Sequence, residues 1–248
     1  MKIHVIQHSP ISPCGTLKEW ADAKGHELQI IKPYEGDLFP SSEEIDFLVI
    51  LGGHMNVDDA ERFPWLNPEK KLLRELCQNK VMCLGICLGA QLLAQALGGR
   101  VKKHSHWEVG WHSVMIGSDQ RLTVFQWHED TFELPPGAIR VAKNKITENQ
   151  AFAFGNHVVG LQFHPEATVE WVHGYVSQLP MPEGPHVQPV DQIYLDLVLI
   201  APMKKWFFEL LDRLESIAGQ LAISTQGRHS VRTNNATSSP KEIQAHTS

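Results

Sequence analysis

No apolar run in this 248-residue sequence approaches the ~18–20 residues that a membrane-spanning helix needs, so no transmembrane segment is expected. Positive charge is not in excess either. Lys and Arg number 22 against 28 Asp and Glu, and the formal charge of −6 removes any electrostatic case for nucleic acid or an anionic membrane. Cysteine is scarce: Cys14, Cys77, Cys83 and Cys87 are too few for a disulfide framework in a chain this long. Cys83 and Cys87 also lack the second pair that a structural zinc site would require. Histidine is abundant, yet His104, His106 and His112 have neither His-x3-His nor His-Glu-x2-His spacing and read as polar strand ends and surface. No metal and no cofactor is therefore expected. Gly-x4-Gly-Lys-Ser/Thr and Ser-Gly-Gly-x-Asp-Ser runs are absent, which argues against a fused nucleotide-dependent synthetase. Residues 1–7 turn polar too early for a secretory signal and read as a first strand, so the cytoplasm is the expected compartment.

What is present is an alternation of strand and helix signals. Residues 2–8, 27–32, 46–51 and 80–84 are short apolar, β-branched runs. Residues 16–24 and 68–78, and the pattern Leu88, Leu92, Leu93, Ala96, Leu97, have helical spacing. Strands alternating with helices predict an α/β fold, an open and mainly parallel sheet with helices on both faces. Residues 109–116, 123–127, 139–143, 150–154 and 158–163 read as short strands separated by turns, a small antiparallel excursion. The four prolines in residues 178–189 predict a surface loop. Trp206, Phe207, Leu210, Leu211, Leu214, Ile217, Ala218 and Leu221 form one stripe of a helix over residues 203–223. One domain over residues 1–223 is expected, followed by a polar tail, residues 224–248, whose Ser/Thr/Asn/Gln-rich composition predicts disorder.

Chemistry concentrates at Gly85-Ile86-Cys87-Leu88-Gly89, a thiol between two glycines at a strand-to-helix junction. That pattern describes a nucleophile elbow, in which a strained residue is lifted above the sheet beside the first N–H groups of a helix. Those donors and the helix dipole favour a thiolate there. A cysteine nucleophile needs a base, and the base needs an orienting partner. His164 closes an apolar strand, where groups of open α/β sheets gather. Pro165 biases it toward an extended conformation, so Glu166, two residues on, projects to the same side. Alone, His-x-Glu would read as a strand-end histidine and a helix-start glutamate; beside an elbow cysteine it reads as base and orienting carboxylate. Attack on an amide also requires fixed N–H donors for the oxyanion. Leu88, following the nucleophile, offers one. Gly52-Gly53 is by itself a plain turn as readily as a donor site, and in this company reads as the second donor.

Leu51-Gly52-Gly53, then Gly85 to Gln91, then Gln162-Phe163-His164-Pro165-Glu166, in that order, resemble the class I (triad) glutamine amidotransferases, and in particular stand-alone domains similar to the glutaminase half of GMP synthase. The resemblance implies a flavodoxin-like fold, with Cys87, His164 and Glu166 acting together. It also implies hydrolysis of the glutamine side-chain amide through a γ-glutamyl thioester, with release of ammonia. Gln91 and the backbone near Gly53 would contact the substrate, and Trp127-His128-Glu129 falls at a substrate-contacting loop, although Trp127 reads equally well as a core aromatic. The chain departs from the family at Ala90, where many members have histidine, and at His54-Met55, which follow the glycine pair where many have Pro-Gly. The expected partners are a small-molecule substrate, glutamine or a γ-glutamyl compound, and a separate synthetase subunit if the ammonia is used. The alternatives are a γ-glutamyl peptidase acting on γ-glutamyl conjugates, or a binding relative that has lost activity.

Overall fold

Residues 2–235 are described by the structure, a computed structural model. Strands β1 (Lys2–Ile6), β2 (Glu27–Ile31), β3 (Phe47–Ile50) and β4 (Met82–Ile86) alternate with helices α1 (Thr16–Lys24), α2 (Leu66–Gln78) and α3 (Leu88–Ala96). Next come β5 (Val101–Ile116), β6 (Gln120–Phe132), β7 (Ile139–Lys143), β8 (Ala151–Phe154) and β9 (Val158–Leu161). Helices α4 (Val169–Gln178), α5 (Val190–Leu195) and α6 (Ile200–Asn235) follow among the described residues. The strands form a single sheet in the order β2-β1-β3-β4-β9-β8-β7-β5-β6. Its first five strands are mutually parallel and the other pairings antiparallel. The parallel part has the order of a flavodoxin-like sheet, as the sequence led one to expect.

Two apolar cores explain why it is covered twice. Strand side chains alternate between faces, and β3 and β4 send Phe47, Val49, Met82, Leu84 and Ile86 into one core. Leu48, Ile50 and Cys83 enter the other. The first core is closed by Leu17 and Trp20 of α1, Trp171 and Tyr175 of α4, and Met203, Phe207, Leu211 and Leu214 of α6. The second is closed by Leu72, Leu73 and Leu76 of α2 and Leu92 and Leu93 of α3. All four cysteines are buried and free.

Register then sets the site. Ile6 lies opposite Ile50, Ile50 opposite Gly85, and Ile86 opposite Leu161. The residues just past these strands, His8, Gly52, Cys87 and His164, therefore leave the same edge of the sheet. That edge, outside the carboxyl ends of the strands and next to the reversal of strand order at β1, is where open α/β sheets bind ligands.

Some elements differ from expectation. β5 begins at Val101 rather than 109, and β6 runs from Gln120 to Phe132. Residues 102–106 are mostly exposed and do not alternate, so one-sided burial gave no signal there; a register shift between Lys103 and Glu108 interrupts the pairing. α4 begins on Thr168, whose side chain accepts the Trp171 N–H at 3.1 Å. The expected proline loop follows α4, and α5 lies beyond it. The polar tail anticipated from residue 224 starts inside α6, and residues 236–248 lie outside the described residues. No helix among the described residues is long and apolar enough to cross a membrane.

Candidate active site

Cys87 occupies the turn between β4 and α3 with φ 52° and ψ −107°. Left-handed φ is costly for a residue with a Cβ, and among the described non-glycine residues only Lys80 shares it. The flanking glycines are required by contact. A Cβ on Gly85 would stand 2.4 Å from the Gly89 carbonyl oxygen, and one on Gly89 would stand 2.2 Å from that of Ile50. The Cys87 N–H donates to Leu161 O at 2.7 Å, which locks the turn to β9. Leu88 is the first residue of α3, so no carbonyl within the helix accepts its N–H.

His164 reaches the same place from β9. Its backbone N–H donates to Phe125 O at 2.9 Å, and its ring lies 4.8 Å from that of Trp171, centre to centre. Nδ1 lies 2.8 Å from Glu166 Oε1, both side chains being buried. The Glu166 carbonyl in turn accepts the Thr16 N–H at the start of α1, at 2.8 Å. Nε2 is buried without a fully formed hydrogen bond. Burial opposes the charged imidazolium, but the facing Glu166 and Cys87 charges outweigh it and lift His164 to about 10. Gly52 packs against both side chains: a Cβ there would be 2.8 Å from His164 Cε1 and 3.5 Å from Cys87 Cβ.

A pocket of about 510 Å³ opens above this edge, and Gly53, Cys87, Gln91, Trp127, His128 and His164 line it. The other three residues singled out from the sequence stand behind its wall. Gly52 packs on His164, Glu166 is buried behind the imidazole, and the Leu88 side chain lies against Gly53. Gln91 Nε2 donates to Asp130 O at 3.0 Å and to Gln162 Oε1 at 3.4 Å. Trp127 is both core and wall, 8% exposed and edge-on to Tyr175 at 5.6 Å. His128 is held by Asp130 O, 3.1 Å from Nδ1, and by buried Glu108, 3.3 Å from Nε2. Glu108 also accepts from Asn144 and from Gln150 Nε2, the latter at 2.9 Å. Burial disfavours its charge, but His128 and Asn144 prevail and hold its carboxyl below the ordinary range. No group of three or more His, Cys, Asp or Glu among the described residues is arranged to hold a metal.

Three features escaped the sequence reading. Gln162, fully buried, points Nε2 at Cys87 Sγ from 3.9 Å. Tyr175 and Ser12 line the pocket, their hydroxyls 2.5 Å apart. His8, just past β1, has Nδ1 3.1 Å from Leu51 O and Nε2 2.9 Å from Glu69 Oε1, so a buried His–Glu contact braces the backbone leading into Gly52. The available signals were that His8 and Gln162 each follow a parallel strand, and that Gln162 opens the run Gln162-Phe163-His164-Pro165-Glu166.

A strand-ending glycine pair, an elbow cysteine and a buried His–Glu pair on one sheet edge define an amidotransferase-type α/β protein. The family model for glutamine amidotransferase class-I matches residues 20–172, and the chain belongs to that family. It is 30% identical over 192 residues to the glutamine amidotransferase-like protein YfeJ of Salmonella typhimurium, covering 71% of this chain and 80% of that one. A GMP synthase (glutamine-hydrolyzing) subunit from Saccharolobus solfataricus is 33% identical over 57% of this chain and 77% of its own length. Gamma-glutamyl peptidase 5 of Arabidopsis thaliana is 26% identical over 59% of this chain and 64% of its own. Among solved structures, a glutamine amidotransferase of Methylobacillus flagellatus superposes with a TM-score of 0.83 at 28% identity, covering 87% of this chain and 94% of that one.

Proposed function

We infer that the chain hydrolyses the γ-carboxamide of a γ-glutamyl compound, glutamine being the simplest, through a thioester on Cys87. The observation that carries this reading is Cys87 held at left-handed φ beside the His164–Glu166 pair. The sulfur attacks the amide carbon, forming a C–S bond and an oxyanion. The N–H groups of Leu88 and Gly53 receive that oxyanion, a service worth about 10²–10³ in rate per donor elsewhere. Collapse breaks the C–N bond, and His164, steadied by Glu166, gives its proton to the departing nitrogen. Water then attacks the thioester and His164 takes a proton from it. The C–S bond breaks, releasing glutamate and restoring the sulfur. Gln91, Trp127 and His128 form the substrate pocket with Gly53.

With glutamine the departing nitrogen is ammonia. Likeness to a glutamine-hydrolyzing component of GMP synthase supports a synthetase partner in trans as its receiver. An electrophilic glutamine analogue should label Cys87 in the native protein, and Cys87→Ala should lose both label and turnover. Near-full hydrolysis by Cys87→Ala would refute the reading.

A further inference from the structure

The two ends of the pocket differ in chemistry. At one end Gln91 donates to Asp130 O at 3.0 Å, Asn56 donates to the Asp130 carboxylate, and His128 lies 3.1 Å from the same carbonyl. The other end lies on the His164 side. The Tyr175 ring is 5.9 Å from that of His164, and its hydroxyl meets Ser12 at 2.5 Å. Leu179 stands one turn beyond Tyr175 and donates its N–H to the Tyr175 carbonyl at 3.0 Å, while Ile11 adjoins Ser12. Ile11, Leu179, Pro180 and Met181 line this end, an uncharged and largely apolar wall.

The loop that carries this wall is anchored to the sheet. The Val109 N–H donates to His186 O at 3.0 Å, and the Gln188 N–H donates to Val109 O at 3.0 Å. The Gln188 side chain accepts from the Trp111 N–H at 2.7 Å and donates to Trp111 O at 3.0 Å. The wall is therefore largely formed before anything binds. Release of ammonia gives it nothing to hold. At about 510 Å³ the cavity also sits within the ~300–1,000 Å³ range of pockets that enclose molecules larger than one amino acid.

The imidazole that protonates the departing nitrogen marks the leaving-group side. We propose that the substrates are γ-glutamyl amides whose departing amine carries an apolar side chain, aromatic or branched aliphatic. The γ-glutamyl head, with its ammonium and carboxylate, lies at the Gln91–Asp130–His128 end. The amine portion packs on Ile11, Leu179 and Met181. This assignment rests on the Cys87 reading above. The bond changes are the same, and the amine leaves carrying the proton from His164 while water supplies the oxygen of the glutamate product.

The test compares kcat/KM of the full chain for γ-glutamyl-phenylalanine, γ-glutamyl-leucine, γ-glutamyl-glycine, γ-glutamyl-lysine and glutamine, with Cys87 labelling by an electrophilic glutamine analogue run in parallel. The phenylalanine and leucine compounds should be preferred by about tenfold or more, as apolar pockets discriminate. The γ-glutamyl-phenylalanine to glutamine ratio should fall about tenfold in Leu179→Asn, and likewise in Met181→Ala, a milder change that guards against a folding defect. Labelled Cys87 with glutamine or the lysine compound preferred, or with a ratio unmoved by both variants, overturns the apolar subsite and leaves the cysteine chemistry standing. Absence of both labelling and cleavage overturns the two together.

Discussion

Burial alone would strip His164 of its proton; the charges facing it keep the proton on, and that balance can be moved one residue at a time. Glu166 accepts at Nδ1 from within a wholly buried setting, where a carboxylate acts with little screening. In Glu166→Gln the geometry survives but the charge is gone, so the His164 value falls from about 10 toward that of an ordinary imidazole. If His164 supplies the proton to the leaving nitrogen, the alkaline limb of the kcat/KM profile should move to lower pH. kcat should drop by about 10² or more, in line with the loss of an orienting carboxylate in other nucleophile–histidine systems. A profile with its alkaline limb unmoved would remove Glu166 from the proposed chemistry.

At the scale of elements, the turn from β4 into α3 is built around absent side chains. Gly89 presses on the Ile50 carbonyl, backbone that cannot swing aside. Gly89→Ala should therefore cost about 3 kcal/mol, the upper range for overpacking, read from the urea midpoint at constant slope. Gly219 is the contrast. It lies in α6 with nothing within 4 Å of an added Cβ, so Gly219→Ala should stabilise by about 0.5–1 kcal/mol. If the two substitutions had similar effects, contact would not be the reason for the elbow glycine. The same comparison explains what the sequence revealed. Residues 16–24 were legible as a helix because Leu17, Trp20 and Ala21 recur at helical spacing, and α1 spans those residues. The elbow was legible because its sterics are local, written in five consecutive residues. The strands of the β5–β6 hairpin were legible at 109–116 and 123–127 but its full length was not, since the first half of β5 carries no one-sided burial to produce alternation. Nor was the His8–Glu69 pair, whose members are 61 positions apart and join only when α2 docks behind the sheet. The apolar end of the pocket was hidden in the same way, because Ile11 and Leu179 lie far apart in the chain and line one pocket only in the fold, where Ser12 meets Tyr175.

Over the whole molecule, two histidines at the carboxyl edge of the sheet are buried against carboxylates, and both are raised above the ordinary imidazole value. For His8, burial lowers the value and the Glu69 charge more than restores it. A group raised on folding gives stability that is fully present below its unfolded value, about 6.5, and is lost as pH climbs through the folded one. Unfolding free energy should thus decline from near-neutral pH upward, through the His8 range and on toward the His164 value of about 10. The buried thiols add a decline of the same sign, since burial raises Cys14 to about 11 and Cys77 to about 12. Unfolded thiols reach their midpoint only near ~8.5, however, so the window from about pH 6.5 to 8 is weighted toward the histidines. Glu69→Gln removes the His8 share, and leaving one member of a buried pair without its charge should cost about 3–5 kcal/mol at pH 6.5. The cost should shrink by pH 8, because the native protein has by then begun to lose the benefit that the variant never had. Urea unfolding of both proteins at the two pH values measures the difference directly. A penalty that is the same at both would mean that the His8–Glu69 contact stabilises by packing and hydrogen bonding alone, with no charge on the imidazole.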